Sequence, residues 1–426
     1  MSERFIVEGL AGQKKLSGSI AVKGAKNAVV AALPASLLFE DTFTVTNVPA
    51  IEDVGTESEI LKKLGAEVAQ TSPGTYAINT SQVASSDLDD AIARKIRASI
   101  VFAGPLLARF GKVSFPHPGG DVIGPRPINL FLDGFKKMGC EVSLENERYA
   151  VNAKDGLQGA EFFFMFVSVT GTETLMMAAT LAKGKTILKN AAMEPEIAAL
   201  AEFLNSCGAR IRGAGTPTIE IEGGSMLKAQ GKELRIVPDR IEAGTFMLLG
   251  ALAAKELEIT DCQPAHCEML VQLLRESGIS IMAEGSRIIV KDGGEALPLN
   301  IRTHEYPGFA TDLQPPMVVY LTQAAGESTM FETIWGGRLG YTQDLIKMGA
   351  DITLWNPQQI SIKGKTPLRG HELESPDIRA GLAFLLAAAV AEGKSTIGNI
   401  YHIDRGYERI EERLQKLGLN IKREQI

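Results

Sequence analysis

The sequence repeats one short signature six times, and this repeat constrains the fold more than any other feature. Each copy is an apolar helical turn that ends in glycine and is followed three positions later by a β-branched residue. The six glycines are Gly65, Gly139, Gly208, Gly278, Gly349 and Gly418. Successive copies lie 74, 69, 70, 71 and 69 residues apart, and such a regular period indicates repeated folding units. Because glycine lacks a Cβ and readily adopts the left-handed conformation that ends a helix, the pattern predicts six similar units.

A second landmark lies about halfway through each unit. It is an apolar, Ala-rich helical segment that leads into a β-branched run, as in residues 175–181, 246–254 and 380–391. Strand signals from β-branched alternation and helix signals from apolar spacing predict strand, helix, strand, helix, strand, strand in each unit. The protein is therefore expected to belong to the α/β class.

The chain of 426 residues is longer than one hydrophobic core usually holds, so more than one domain is expected. Six units divide most simply into two groups of three. A Lys/Glu-rich stretch at 228–233 leads into a new helix start, and we place the crossover between the groups near Val237-Pro238-Asp239.

The composition narrows the class of protein. The formal net charge of −7 argues against a nucleic-acid partner unless the basic residues are concentrated in one place. The N-terminus lacks the basic and then apolar pattern of a signal peptide, and the apolar runs are too short to span a bilayer. A cytoplasmic protein without membrane contact is expected.

The spacing of Cys262, His266 and Cys267 matches no common zinc pattern, so we expect no metal site.

The chemistry is sought where the first helix of each unit begins, because free N–H groups and the positive end of the helix dipole bind anions there. Asp239 and Asp377 are equally well explained as helix caps that serve stability alone. A cation in the first turn opposes the dipole and requires a compensating anion. Three residues of this kind are the strongest candidates: Lys26, Arg97 and Arg379.

Two further segments carry candidate functional groups. Residues 118–127 form a Gly/Pro-rich loop with one acid and one guanidinium, which suits a lid but is also typical of a plain surface turn. Residues 401–410 place three aromatic or imidazole side chains and two arginines around Gly406. A solvated helix start explains Glu408 and Arg409 better than it explains Arg405.

These segments together resemble the UDP-N-acetylglucosamine 1-carboxyvinyltransferases, a family of enolpyruvyl transferases. The matching landmarks occur in order over essentially the whole chain. They are Gly24 to Ala28, Arg97 to Ser99, Pro118 to Pro127, Pro238 to Phe246, Thr311 to Gln314 and His402 to Ile410.

The resemblance implies an α/β fold of two similar domains, each of three βαβαββ units around a pseudo-threefold axis, in an inside-out α/β barrel. The N-terminal strand is expected to join the second domain. Residues 1–22 with 238–426 would form the domain that carries Asp312 and Arg405. Residues 23–237 would form the domain that carries Lys26, the loop 118–127 and the UDP-sugar contacts.

The reaction implied by the resemblance transfers the enolpyruvyl group of phosphoenolpyruvate to the 3-hydroxyl of UDP-N-acetylglucosamine and releases phosphate. It is the first committed step of peptidoglycan precursor synthesis and requires no cofactor. Both partners are small molecules, and the oligomeric state stays open.

The resemblance also assigns roles to individual residues. Asp121 stands at the position of the general acid, and Asp312 at that of the carboxylate that receives the hydroxyl proton. Lys26 and Arg405, with Arg126, match the groups that hold phosphoenolpyruvate, an anion whose bidentate recognition suits guanidinium. The remaining positions that match substrate contacts are Asn27, Arg97, Pro127, Ile128, Asn129, Leu130, Val167, Ser168, Val169, Ile334, Arg338 and Arg379.

The sequence departs from the commonest family pattern at several positions. Asp121 stands where most members carry the cysteine that fosfomycin alkylates, so insensitivity to fosfomycin is expected. Phe166 replaces a lysine that often meets the diphosphate, Thr170-Gly171 replaces a Gly-Ala pair, and Gly336-Gly337 precedes Arg338 where an acid-amide pair is usual.

Two alternatives stay open. A 5-enolpyruvylshikimate-3-phosphate synthase shares the implied fold and chemistry, although its first helix start carries Gly-Ser-Lys where this chain has Gly24-Ala25-Lys26-Asn27. A non-catalytic paralogue that binds UDP-sugars is the other, and retention of acid, base and anion-binding residues together argues against it.

Overall fold

The computed structural model of the chain describes residues 3–120 and 127–425. Its strands, in chain order, are β1 (Glu3–Glu8), β2 (Leu16–Ala21), β3 (Phe43–Thr46), β4 (Glu67–Ser72), β5 (Thr75–Asn79), β6 (Lys112–Pro116), β7 (Glu141–Glu145), β8 (Arg148–Asn152), β9 (Glu161–Phe163), β10 (Lys185–Lys189), β11 (Arg210–Arg212), β12 (Thr218–Glu222), β13 (Glu233–Arg235), β14 (Ala254–Thr260), β15 (Ser280–Glu284), β16 (Arg287–Lys291), β17 (Asn300–Arg302), β18 (Gly326–Phe331), β19 (Asp351–Asn356), β20 (Gln359–Gly364), β21 (Glu372–Glu374), β22 (Lys394–Gly398) and β23 (Asn420–Gln425).

The α-helices of the same residues are α1 (Lys26–Ala35), α2 (Glu52–Leu64), α3 (Asp90–Ala93), α4 (Ala103–Phe110), α5 (Asn129–Lys137), α6 (Val169–Thr180), α7 (Pro195–Ser206), α8 (Arg240–Ala253), α9 (Glu268–Glu276), α10 (Gln314–Leu321), α11 (Thr342–Lys347), α12 (Ile378–Val390), α13 (Tyr401–Asp404) and α14 (Ile410–Lys416). Short 3₁₀ helices occur at Ser36–Leu38, Arg97–Phe102, Pro264–Cys267, Thr311–Leu313 and Arg338–Tyr341.

The described residues divide into two compact units, each with its own hydrophobic core. Unit 1 consists of residues 3–23 and 238–425, and unit 2 consists of residues 24–120 and 127–237. Unit 1 contains the sheets β15-β16-β14-β2, β17-β18-β20-β19 and β21-β22-β1-β23. Unit 2 contains the sheets β13-β3-β5-β4, β6-β8-β7 and β11-β12-β10-β9.

Each unit is built around three buried helices. In unit 1 these are α8, α10 and α12, and every residue of α10 and α12 is buried. In unit 2 the corresponding helices are α1, α4 and α6. A helix that is apolar on all sides must be surrounded by other elements, and the three sheets of each unit surround them. The three helices therefore form the interior of each unit, as the inside-out α/β barrel implied by the resemblance predicts.

The six glycines of the repeat end helices as predicted. Their φ angles lie between +88° and +109°, and each follows one of the helices α2, α5, α7, α9, α11 and α14 and precedes a strand. An L side chain is unfavourable at such φ values, so the glycine marks the place where a helix must turn into the next strand.

The second unit of the repeat departs from the predicted order at its first strand. Instead of a strand, a single parallel bridge joins Asp87 to Ser114 of β6. The reason is local, because the carboxylate of Asp89 accepts a hydrogen bond from the Ile92 N–H and caps α3, which begins at the next residue, Asp90. The helix start expected at Arg97 is a 3₁₀ helix that leads into α4.

Three strands, β1, β2 and β13, pair with strands that are far from them in the sequence. β1 pairs antiparallel with both β22 and β23, and β2 pairs parallel with β14. In unit 2, β13 returns to pair parallel with β3. The first 21 described residues, through Lys23, thus belong to the unit otherwise formed by the C-terminal half of the chain.

The four cysteines of the chain are buried and free of disulfide bonds. In the ranges 3–120 and 127–425, no helix has the length and apolarity needed to cross a bilayer.

Candidate functional site

Unit 1 brings three of the predicted site residues into direct contact. Asp312 lies in the 3₁₀ helix that precedes α10, and its Oδ1 is 3.1 Å from Nη2 of Arg338. Its Oδ2 accepts a hydrogen bond of 3.0 Å from Nε of Arg379, in the first turn of α12. The carboxylate is thus held between two guanidinium groups that come from separate segments.

The three side chains differ in exposure. The side chains of Arg338 and Arg379 are only 2% and 6% exposed, whereas that of Asp312 is 25% exposed. Burial by itself would raise the pKa of Asp312, but the charges of Arg379 and Arg338, with a hydrogen bond from Arg338, hold the pKa of this carboxyl below its usual range. Asp312 is therefore ionised and can meet a ligand from the solvent side.

A second carboxylate organises the surroundings of this cluster. Glu332 is fully buried and accepts hydrogen bonds from the hydroxyls of Thr303 and Thr311, at 3.0 and 2.8 Å. It also accepts a hydrogen bond of 2.8 Å from the N–H of Ile334, one of the predicted substrate contacts. Since Thr311 in turn accepts a hydrogen bond of 2.7 Å from Arg338 Nη1, Glu332 fixes both the arginine and the Ile334 backbone.

Arg379 is fixed on its other side as well. Its Nη1 donates to the hydroxyl of Tyr407 at 2.7 Å, and its guanidinium lies 5.5 Å from the centre of that ring. The backbone N–H of Arg379 donates to Asp377, which caps α12. Asp239 caps α8 in the same way, so both aspartates serve as the helix caps that the sequence allowed.

Arg405, the second arginine predicted in the phosphoenolpyruvate site, is 5% exposed and directly follows α13. The preceding residue, Asp404, is held by hydrogen bonds of 2.9 and 2.7 Å from Arg423 of β23. The segment that carries Arg405 is therefore anchored to the sheet.

In unit 2, Lys26 begins α1 and its Nζ lies 3.1 Å from Oδ2 of Asp53 in α2. The compensating anion expected for this cation is thus a buried aspartate one helix further along the chain. The predicted contact Asn27 follows in the same helical turn and is half-buried.

A second group of predicted contacts lies at other helix starts of unit 2. Nη2 of Arg97 donates to the carbonyl of Pro127 at 3.3 Å, which joins two predicted positions 30 residues apart. Ser168 caps α6 by accepting a hydrogen bond of 3.2 Å from Gly171. The neighbouring predicted contacts are Ile128, Asn129 and Leu130 at the start of α5, and Val167 and Val169 on either side of Ser168. Asp121 and Arg126 lie outside the described residues, together with the rest of the segment 121–126.

Unit 2 also buries carboxyl groups that the sequence analysis did not single out. Glu57 in α2 and Glu173 in α6 are fully buried, and neither carboxyl has a hydrogen-bond partner among the described residues. Burial, followed by the charge of Asp53, raises the pKa of Glu57 well above its usual value. Burial, followed by the charges of Glu196, Glu194 and Glu57, does the same for the pKa of Glu173.

Sequence reasoning missed Asp53 and Glu332. Asp53 lies in the first turn of a helix, where an acid is ordinary. Glu332 follows β18 directly, and its partners Thr303 and Thr311 lie more than 20 residues away in the chain. The signal available for Asp53 was the cation of Lys26 in the first turn of a helix, which required an anion without indicating which residue supplies it.

The chain is similar to known proteins over nearly its whole length. The family model of EPSP synthase (3-phosphoshikimate 1-carboxyvinyltransferase) matches residues 10–414. A protein of Koribacter versatilis named UDP-N-acetylglucosamine 1-carboxyvinyltransferase is 40% identical over 424 residues, which cover 99% of this chain and 96% of that protein. A protein of the same name from Magnetococcus marinus is 43% identical and covers 97% and 98% of the two chains.

Among solved structures, the enolpyruvyl transferase NikO from Streptomyces tendae shares the fold, with a TM-score of 0.88 and 22% identity over 99% of both chains. The α/β fold with two repeated halves predicted from the sequence is thereby confirmed. Given the identity and coverage of the relatives, the chain belongs to the UDP-N-acetylglucosamine 1-carboxyvinyltransferase family of enolpyruvyl transferases.

Proposed function

We propose that the protein transfers the enolpyruvyl group of phosphoenolpyruvate to the 3-hydroxyl of UDP-N-acetylglucosamine and releases inorganic phosphate. The observation that carries this proposal is the ionised, partly exposed Asp312 between the buried Arg338 and Arg379, in a chain whose relatives carry the name of this reaction over nearly their whole length. The role in peptidoglycan precursor synthesis places the enzyme in the cytoplasm and connects it to cell wall biogenesis, cell shape and cell division.

The reaction has two stages. In the first, the sugar 3-hydroxyl oxygen bonds to C2 of phosphoenolpyruvate, the hydroxyl proton leaves and C3 gains a proton, which gives a tetrahedral ketal. In the second, C3 loses a proton and the C2–O bond to phosphate breaks, which leaves an enol ether and inorganic phosphate. In the first stage the hydroxyl loses a proton and C3 gains one, and in the second stage C3 loses a proton as phosphate departs, so a base and an acid are sufficient and no redox step is needed.

Asp312 is the proposed acceptor of the hydroxyl proton. Its low pKa ensures that the carboxylate is ionised, but it also makes the group a weak base. Proton transfer is therefore expected as the new C–O bond forms and the hydroxyl becomes acidic, and not before. The two arginines hold the carboxylate in one orientation during this step.

The anionic substrate is assigned to the cationic residues. Lys26, Arg126 and Arg405 are proposed to hold the phosphate and carboxylate of phosphoenolpyruvate, because guanidinium recognises such groups in a bidentate manner. Asp121 is proposed as the general acid that protonates C3. Contacts to the UDP-sugar are proposed for Asn27, Arg97, Arg126 to Leu130, Val167 to Val169, Asp312 and Ile334, and for Arg338 and Arg379 in the lining of the site.

A phosphate-release assay with purified protein tests the proposal. Phosphate should appear only when phosphoenolpyruvate and UDP-N-acetylglucosamine are both present, and mass spectrometry should show the enolpyruvyl ether of the nucleotide sugar. Release with shikimate 3-phosphate in place of the nucleotide sugar would instead assign the related synthase activity. Binding of UDP-N-acetylglucosamine without phosphate release would point to the non-catalytic alternative.

A further inference from the structure

The ion pair between Lys26 and Asp53 is asymmetric in its exposure. The Asp53 side chain is 1% exposed, whereas the Lys26 side chain is 14% exposed, and their charged atoms lie 3.1 Å apart. A ligand that arrives from solvent can therefore reach the ammonium, while the carboxylate stays behind it. Asp53 is therefore placed to influence such a ligand through Lys26.

The position of Lys26 makes a supporting anion necessary. Lys26 is the first residue of α1, where the positive end of the helix dipole disfavours a cation. A buried carboxylate at 3.1 Å offsets this repulsion and limits the directions in which the ammonium can point.

Glu57 lies one helical turn beyond Asp53 on the same face of α2. Its carboxyl is fully buried without a hydrogen-bond partner among the described residues, and an ionised group in such a place is costly. The charges that act on it are those of Asp53 on its own helix and Lys26 of α1. A neutral Glu57 leaves Asp53 as the charged carboxyl of α2 in this group.

A second buried acid, Glu173, is neutral for the same reason. Glu173 of α6 is fully buried without a hydrogen-bond partner among the described residues, and the acidic residues near it are Glu196 and Glu194 at the start of α7 and Glu57 of α2. With both buried acids neutral, the negative charge behind Lys26 is limited, and the ammonium keeps its attraction for an incoming anion.

We propose that Asp53 is a positioning residue for phosphoenolpyruvate binding, because it fixes the Lys26 ammonium toward the ligand. Glu57, which lies behind Asp53 as a neutral acid, adds no further negative charge beside Lys26. This inference rests on the proposed function, because it takes Lys26 to contact the phosphate or carboxylate of phosphoenolpyruvate.

The test is Asp53→Asn, which keeps the shape of the side chain and removes its charge. The KM for phosphoenolpyruvate should rise about tenfold or more, because a partly buried ion pair is broken. The Kd of UDP-N-acetylglucosamine, measured by calorimetry, should stay within about twofold of the wild type. Asp53→Glu should restore part of the loss. A purely structural role would lower the thermal midpoint without separating the two substrates.

Glu220→Gln is the matched control, since Glu220 forms an exposed ion pair of 2.9 Å with Lys185 in the same unit. Its kinetic constants should equal those of the wild type. If Asp53→Asn fails to fold, the smaller Asp53→Ser takes its place, with the same separation of the two substrates expected.

The pH dependence tests the part played by Glu57. Ionisation of Glu57 as the pH rises would add negative charge beside Lys26, so the KM of the wild type for phosphoenolpyruvate should rise with pH, and Glu57→Gln should flatten this rise. An equal rise in both proteins would remove Glu57 from the proposal. An unchanged KM in Asp53→Asn, in a wild type that releases phosphate, would overturn the positioning role. A wild type that releases no phosphate would overturn the proposed function instead.

Discussion

Oδ2 of Asp312 lies 3.0 Å from both Nε and Nη2 of Arg379, so a single carboxylate oxygen takes both nitrogens on one edge of the guanidinium. The second oxygen is left to Arg338 at 3.1 Å. This division of the two oxygens holds the carboxylate plane fixed while a quarter of the side chain stays exposed.

Asp312→Asn should lower turnover by about 10²- to 10⁴-fold, the usual contribution of a positioned general base. The amide cannot take the hydroxyl proton, and it leaves two buried arginines without their anion. Steady-state phosphate release measures the effect. Asp344→Asn is the control, because Asp344 lies on α11 and pairs with Lys347 at the surface. Turnover of Asp312→Asn within a few-fold of the wild type would exclude Asp312 as the base.

Arg379→Lys should move the acidic limb of the pH–activity profile to higher pH. Arg379 lowers the pKa of Asp312 in the folded protein, and lysine keeps one charge but loses the two-nitrogen contact. The pKa of Asp312 then rises toward its ordinary value of about 3.9, and the carboxylate is protonated at higher pH.

The same change has a consequence for stability. A carboxyl whose folded pKa is lowered stabilises the protein above its unfolded pKa, and this contribution is lost as the pH falls through the folded pKa. Acid unfolding should therefore begin at higher pH in Arg379→Lys, as measured by circular dichroism. Arg287→Lys, a change in an exposed ion pair of the same unit, should leave both profiles in place. Coincident acidic limbs for Arg379→Lys and wild type would contradict the assigned cause of the pKa shift.

The stability of Glu173→Gln relative to the wild type should increase as the pH rises above the pKa of glutamate in the unfolded chain. The folded wild type holds the Glu173 proton, whereas the unfolded chain releases it above about pH 4.3. Its free energy of unfolding thus falls by about 1.4 kcal/mol per pH unit until the folded pKa is reached, a loss that glutamine avoids. Urea unfolding at several pH values measures the difference. Glu222→Gln, an exposed position, should show no such trend, and a pH-independent difference for Glu173→Gln would mean that Glu173 is ionised in the folded protein.

Gly208→Ala should destabilise the protein by about 1–2 kcal/mol through backbone strain alone. Its φ is +109°, and a Cβ at this position would meet no atom within 4 Å. Gly55→Ala provides the opposite case, since Gly55 lies inside α2 with equally open space. Alanine there should stabilise by about 0.5–1 kcal/mol. Thermal unfolding compares the two variants, and equal effects would show that the left-handed conformation is not required at Gly208.

Fosfomycin should not inactivate the protein, because the residue at position 121 is aspartate and a carboxylate is a poorer nucleophile toward the epoxide than a thiolate. Asp121→Cys should stay active and become sensitive, whereas Asp121→Asn should lose most activity. Mass spectrometry after incubation reports a covalent adduct. A stoichiometric adduct on the native protein would show that another nucleophile lies in the site.

The sequence predicted the repeated features well because they are local. The glycine at each helix end and the caps Asp239 and Asp377 depend on residues within one helical turn. The need for an anion at Lys26 followed from the helix dipole, but the choice of Asp53 depends on how α2 packs against α1. Glu332 could not be predicted because its role also depends on tertiary contacts, since its hydrogen bonds with Thr303 and Thr311 form only when β17 and β18 pair.

The pairing of β1 means that the two units complete their sheets at different times during synthesis. Unit 2 is formed by residues 24–120 and 127–237, so its last strand, β13, can pair with β3 while the ribosome still makes the residues that follow. The sheet that contains β1 needs β22 and β23, which are translated after all the other described strands. β1 therefore cannot pair until β22 and β23 have been made, and contacts of such long sequence separation form slowly. Unit 2 is expected to fold first, and unit 1 to complete only after release of the C-terminal strand.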